Sequence, residues 1–440
     1  MNILRHILLG IGLVALPLAS VAQNGNNSSY SRFGLGTMAD QSQTFNRGMG
    51  GVALGLRSGD RVNILNPASY SAIDSLTFLF DVGMSAQFGT QSMGGKSASV
   101  RNASLTNVNA GFRVAKGVGV SFGFVPYTSI GYSFESEGYV GDTYTGTKPI
   151  TSKSYYTGNG GLHQLYIGAG WNPFANLSIG ANISYVWGDY QHYITQSFYE
   201  GSTITNDYSN QNILYSADLS SYKLDLGLQY PIRISKDDQL TLGLTYSLGH
   251  TMNGDASQLR YTSTGDSTEI IAPKAFDMPH TFGAGLAWNH KGKLKIAADA
   301  NIEKWADCKA PIAGKSNDSY TSTTGNYLDR TRIAVGAEFL PRGNQKASKY
   351  WETVYYRVGL NYSTPYLKVN GQDGPNEIGA SIGAGIPLSS KRMSGRSFIN
   401  VSAEWKHRRP SASNMIKENY FMINLGVTFN EDWFSQWKIN

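Results

Sequence analysis

From Leu76 to Phe429 apolar and polar residues take turns with a period of two, almost without interruption, and this alternation limits what the chain can fold into. A β-strand sends successive side chains to opposite faces, so each run has one apolar and one polar side. In the first run Leu76, Phe78, Phe80, Val82, Met84, Ala86 and Phe88 share a face, against Thr77, Asp81, Gly83, Ser85 and Gln87. Val108, Ala110, Phe112 and Val114 follow, then Val118, Val120, Phe122 and Phe124. Further runs cover 165–171, 177–187, 222–230, 240–248, 282–288 and 294–302. The last are centred on 333–339, 354–362, 378–386, 399–405 and 421–429. Together they predict about fourteen strands, an even number of the kind bacterial membrane barrels have.

A soluble β-sandwich alternates too, so the connections must separate the two folds. Links at 89–100, 135–158, 198–212, 250–278 and 306–325 read as long, and those at Lys116-Gly117, 172–176, 235–238 and 289–292 as short. Long external loops and short periplasmic turns give a membrane barrel this rhythm. It fades near 342–350 and 387–397, which are no shorter than the loop at 363–375. Trp171 and Trp288 end descending strands and Trp187 and Trp405 ascending ones, as two aromatic belts require. The face opposite the apolar one carries Arg113, Asp225, Lys295, Asp299, Glu303, Arg332, Glu338, Arg357 and Glu404, so it lines a polar interior. The expected fold is all-β: a transmembrane antiparallel β-barrel of about fourteen strands with an N-terminal luminal plug.

Composition agrees with this reading. Fifty Gly and 27 Tyr stand beside only 15% charged residues, where a soluble domain carries about a quarter. Arg5 and His6, the apolar stretch from Ile7 to Ala19 and the small-x-small triplet Ser20-Val21-Ala22 form a secretory signal, so residues 1–22 are expected to be removed. The single cysteine, Cys308, forms no intrachain disulfide and no cysteine-based metal site. A formal net charge of +6 is mild for this length, and no basic run with interleaved aromatics points to nucleic acid. Lys406 to Arg409 read as a solvated turn or as groups facing lipid head groups. No His-Glu-x-x-His, no phosphate loop and no local Ser-His pattern singles out a catalytic residue, a metal ligand or a cofactor.

Residues 23–74 break the alternation, being rich in Gly, Asn and Ser, and precede the barrel assigned to 75–430; a tail follows at 431–440. A fourteen-strand barrel encloses more space than its wall side chains fill, and this segment has the size to occupy it. A disordered periplasmic leader is the alternative, against which stand Tyr30, Phe33, Leu54, Leu56, Ile64 and Leu65. Within the segment, "NRGMGGVALGL" from Asn46 and "NILNPASY" from Asn63 resemble the hatch of the FadL family of outer-membrane transporters for long-chain fatty acids and aromatic hydrocarbons. The resemblance implies a fourteen-strand barrel and plug residues at Arg47, Gly48, Gly50 and Gly51 and at Asn66, Pro67 and Ala68. It further implies that Pro126, which interrupts the third strand, marks a lateral opening in the wall. As structure alone, Pro126 ends the spanning part of that strand.

Two functions fit this sequence in the bacterial outer membrane. One is a passive channel for a hydrophobic small molecule such as a fatty acid, held in an apolar pocket between plug and wall. The other is a non-transporting barrel that docks other outer-membrane proteins in an assembly or secretion complex. Membrane lipid is a partner in both.

Overall fold

A computed structural model describes residues 28–142, 149–174, 176–201, 203–204, 209–314, 319–388 and 397–431. The signal sequence expected at residues 1–22 and nearly all of the C-terminal tail lie outside the described residues. Fourteen antiparallel strands form the wall: β1 (Phe78–Met93), β2 (Lys96–Ala115), β3 (Val118–Pro126, continued as Thr128–Asp142), β4 (Pro149–Phe174) and β5 (Leu177–Glu200). They continue as β6 (Gln211–Arg233), β7 (Asp238–Ser247), β8 (Thr281–His290), β9 (Leu294–Glu303) and β10 (Arg330–Phe339). β11 (Tyr355–Ser363), β12 (Asn376–Pro387), β13 (Phe398–Arg409) and β14 (Lys417–Glu431) complete it. Each strand pairs with its sequence neighbours, and β14 returns to β1 in register from Phe78↔Glu431 to Ser92↔Lys417. The sheet is therefore closed.

Closure follows from the solvent. Inside a bilayer an unpaired N–H or C=O costs several kcal/mol, so spanning strands must leave no edge. The alternating residues divide as the sequence predicts. On the outer face Leu165, Ile183, Leu244, Val335, Leu360, Ile382 and Leu425 are exposed, while Asp81, Asn182, Gln229, Asp299, Glu338 and Asn424 are buried on the inner one. No helix among the described residues is long and apolar enough to cross a membrane.

The connections differ from the expected loops at one end of the barrel. The link expected to be long at 89–100 is a tight hairpin, because β1 runs to Met93 and β2 resumes at Lys96. Likewise β3 reaches Asp142 and β4 begins at Pro149, within the expected loop 135–158. Beyond the membrane neither strand face has to be apolar, so the period-two signal stops while the ladder continues. In the connection after β7, Ala256–Thr262 and Ser267–Ala272 form a hairpin that also pairs with β6.

β3 is broken after Pro126. Below the break it pairs with β2, from Val108↔Phe124 to Ala115↔Val118; above it, Thr128 and Ser129 pair instead with Met38 and Thr37 of the N-terminal segment. Pro126 has no N–H to donate, and the Tyr127 N–H turns to the Leu162 carbonyl at 2.8 Å.

Where β14 closes on β1, Asp81 accepts from the Thr428 hydroxyl at 2.6 Å and from the Asn107 amide, all three buried. Asp81→Ala strands both donors, so we expect a loss of about 1–3 kcal/mol, measured as a lower denaturant midpoint of the protein refolded in lipid vesicles. An unchanged midpoint would show that this seam does not contribute to closure.

Candidate functional site in the barrel interior

Residues 28–74 run against the inner face of the wall. Ser28 begins at the loop end, where its hydroxyl lies 2.8 and 2.9 Å from the two Glu418 carboxylate oxygens and Arg408 donates to it at 2.9 Å. A one-turn helix, Thr44–Arg47, follows. Arg47 donates to the backbone carbonyls of Asp40 at 2.6 Å and Ser42 at 3.1 Å, tying the segment to itself, and approaches Asn424 Oδ1 at 3.4 Å.

The Gly48–Gly51 stretch lies against β10 to β12. Gly50 and Gly51 have φ of +69° and +79°, in the left-handed region that a side chain disfavours. The Gly50 N–H donates to Ser381 Oγ at 2.9 Å, and its carbonyl accepts from Arg332 at 2.9 Å. Gly359 in β11 faces this turn, and a Cβ there would fall on the Met49–Gly50 peptide. Small residues in the wall thus serve close backbone approach.

Asn66, Pro67 and Ala68 are on the other side of the barrel, against β4 to β6. Asn66 caps the 3-10 helix Pro67–Ala72, its side-chain oxygen accepting from the Ala68 N–H at 3.2 Å. Its amide donates to Leu54 O at 2.8 Å and Leu228 O at 3.2 Å, so the corner is bonded to both segment and wall. Pro67 packs on the faces of Gly180 and Gly227. The two motifs are therefore separate footings, bridged by Ala53 and Leu54, whose N–H groups donate to Asp299 at 2.5 and 2.9 Å. Pro126 belongs to neither, being at the β3 break.

Sequence reasoning missed the segment's half of the charged contacts between segment and wall. Arg61 donates to Glu338 at 2.7 Å, and Glu338 also binds Arg357 at 2.8 Å and Lys295 at 3.2 Å. Arg61 lies over the Tyr355 ring at 4.3 Å. Nearer the loop end, Lys406 meets Glu404 at 3.2 Å and Asp40 at 3.5 Å, and Arg408 meets Glu377 at 2.9 Å and Glu418 at 3.0 Å. The expectation that Lys406 to Arg409 are solvated is thus corrected for Lys406 and Arg408, whose side chains are 14% exposed and point inward. The interior charges of β9 to β11 were legible from their face. Asp40 and Arg61 were not, because an aperiodic segment has no face to read. Arg113 stands near the turn end of β2, opposite Gly119, and donates to the Ala115 carbonyl at 3.1 Å.

Between segment and wall lies a cavity of about 180 Å³. Asp40, Asp225, Asp299, Glu303, Glu377, Lys223, Arg330, Arg332 and Lys406 line it, together with Met38, Leu54, Ile64, Leu65 and Tyr127. Nine ionisable side chains share its walls with apolar ones, where an apolar pocket was expected. Burial raises the pKa of the Asp40 carboxyl, but Lys406, Arg47 and Arg332 overcome this and hold it well below the usual carboxylate range. Toward the loop end Leu162, Leu219, Met252, Phe276, Trp305, Tyr327, Tyr366 and Leu367 pack into one apolar cluster with Leu35 of the segment.

A family model matches residues 3–440. The chain belongs to the BamG family. No curated protein matches the sequence. Among solved structures, this BamG-family barrel has the fold of the Pseudomonas putida toluene transporter TodX, at 15% identity and a TM-score of 0.56, covering 90% of this chain and 99% of that one. It is also similar to a Pseudomonas aeruginosa FadL homologue, at 13% identity and a TM-score of 0.58, covering 89% and 98%. The Ralstonia pickettii toluene transporter TbuX gives 14% identity and a TM-score of 0.56, covering 88% and 97%. The FadL resemblance read from the sequence is therefore a likeness of fold.

Two measurements test the charged contacts. Glu338→Ala leaves Arg61, Lys295 and Arg357 without their shared carboxylate, a cost of about 3–5 kcal/mol, whereas Arg61→Ala leaves Glu338 two cations and should cost less. Both should speed trypsin cleavage after Arg57 while the barrel keeps its heat-modifiable gel mobility; protection equal to the parent would count against the pairing. Since the Asp40 pKa is depressed, its contribution is present above the unfolded carboxylate range and is lost only as pH falls through the lower folded value. The stability lost on Asp40→Asn, read as the change in denaturant midpoint, should therefore be about the same at about pH 7 and about pH 5.

Proposed function

We propose that this BamG-family barrel is a plugged, non-conducting subunit of the bacterial outer membrane that docks other outer-membrane proteins in an assembly or secretion complex. Residues 28–74 act as the plug, with Arg47, Gly48, Gly50 and Gly51 as one footing and Asn66, Pro67 and Ala68 as the other. The nine ionisable side chains in the lining of the interior cavity carry this reading. A hydrocarbon offers no hydrogen bonds, so entering such a cavity would strip water from carboxylates and guanidinium groups without compensation. The apolar cluster at the loop end adds a second barrier, since its side chains already fill one another's packing space. On this reading the protein performs no chemical step, and its work is done by its outer surface.

A second reading, a channel for hydrophobic small molecules, draws on one observation, the break in β3 at Pro126. There the ladder between β2 and β3 ends, beside Tyr127 and Met38 on the cavity wall. Two of the barrels named above, TodX and TbuX, are described as toluene transporters, and Pro126 would then mark a lateral exit.

Mild detergent extraction of tagged protein from its native outer membrane separates the two. The docking reading expects partner proteins in fixed stoichiometry, and an uptake rate for toluene or oleate in proteoliposomes equal to that of empty vesicles. A lone barrel that carries bound lipid and speeds uptake, with Pro126→Ala altering the rate, would overturn it.

A further inference from the structure

The turn between β10 and β11 is long for its end of the barrel, spanning residues 340–354, and it folds outward along the rim. Phe339 and Tyr356 are cross-strand partners on the lipid-facing side, 42% and 41% exposed. The Tyr356 hydroxyl donates to the Trp351 carbonyl at 3.5 Å, and the Tyr350 hydroxyl donates to the Pro387 carbonyl at 3.2 Å. Lys293, from the neighbouring turn, holds its ammonium 5.9 Å from the centre of the Phe339 ring. These contacts place the turn on the outer perimeter, at the depth where the lipid-facing strand residues end. Trp351 is 69% exposed there, beside Tyr350.

Charge gathers at the same place. Lys293, Arg342, Lys346 and Lys349 are all exposed, and among the described residues none of them has an acidic partner. The nearby Glu352 is occupied, accepting from the Ser348 N–H at 2.7 Å and the Lys349 N–H at 3.4 Å. The turn is also fixed in shape: the Leu340 N–H donates to Lys293 O at 2.7 Å, the Arg342 N–H to Glu352 O at 3.0 Å, and Val354 is buried. Trp and Tyr settle at the head-group level, where one edge of the ring is wet, and fixed cations beside them attract phosphate.

We propose that Lys293, Arg342, Lys346 and Trp351 form a binding site for the phosphate head group of an acidic phospholipid in the leaflet next to the turn end of the barrel. The cations take the phosphodiester oxygens, and Trp351 lies along the upper acyl chain. This site is independent of whether the barrel docks proteins or conducts.

The test uses the full chain in neutral detergent, titrated separately with dioleoyl phosphatidylglycerol and dioleoyl phosphatidylcholine and read by native mass spectrometry. We expect phosphatidylglycerol to occupy the protein several-fold more than phosphatidylcholine. The triple variant K293Q/R342Q/K346Q should lose that preference, and W351A should weaken both lipids alike. A control, K116Q/K236Q, removes charge from other turns of the same rim and should keep the preference. Equal occupancy by the two lipids in the parent would overturn the proposal, as would a preference retained by the triple variant or lost equally in the control. A triple variant that keeps the lipid preference but loses a stoichiometric protein partner would assign the patch to protein docking instead and overturn the lipid site.

Discussion

A backbone that crosses a bilayer has to satisfy its own N–H and C=O groups, and this requirement shapes the rest of the molecule. It makes the sheet close, from Phe78↔Glu431 onward, and closure by fourteen strands creates an interior that wall side chains cannot fill alone. The interior then sets a second problem, since the wall places charges such as Asp299, Glu338 and Arg357 where little water reaches them. Residues 28–74 supply their complements: peptide N–H groups to Asp299, a guanidinium to Glu338 and an acid to Lys406. Wall and segment are thus electrostatically incomplete without each other.

This dependence explains which parts of the structure could be read in advance. The lipid face was legible because Leu244, Val335 and Leu360 alternate with small or polar residues, and water and lipid enforce that pattern strand by strand. The strand ends were not, because the upper parts of β1 to β4 stand clear of the membrane and nothing compels either face to be apolar. For the interior the wall half of the charged contacts was legible from its face, except at Lys406 and Arg408, which read as solvated. The halves contributed by Asp40 and Arg61 were hidden, since a segment of turns and short helices presents no period.

Resemblance to a family acted differently from periodicity. The Asn66-Pro67-Ala68 corner and the Gly48–Gly51 turn were found through it, and each is a point where backbone meets wall: Pro67 on Gly180 and Gly227, and Gly50 opposite Gly359. These are steric requirements of a barrel with a segment inside, whatever passes or fails to pass through it. The same motifs therefore belong equally to a conduit and to a sealed post. The remaining space is lined by side chains outside the motifs.

Ser28 touches Glu418 across 390 positions of sequence, at the opposite end of the barrel from the start of β1. The segment therefore lies lengthwise in a tube whose seam, β14 on β1, joins the last described wall strand to the first. Both the seam and the thread's contact at Glu418 join residues far apart in sequence, so wall and thread depend on the same long-range closure. Long-range joining of this sort is the slow kind of folding.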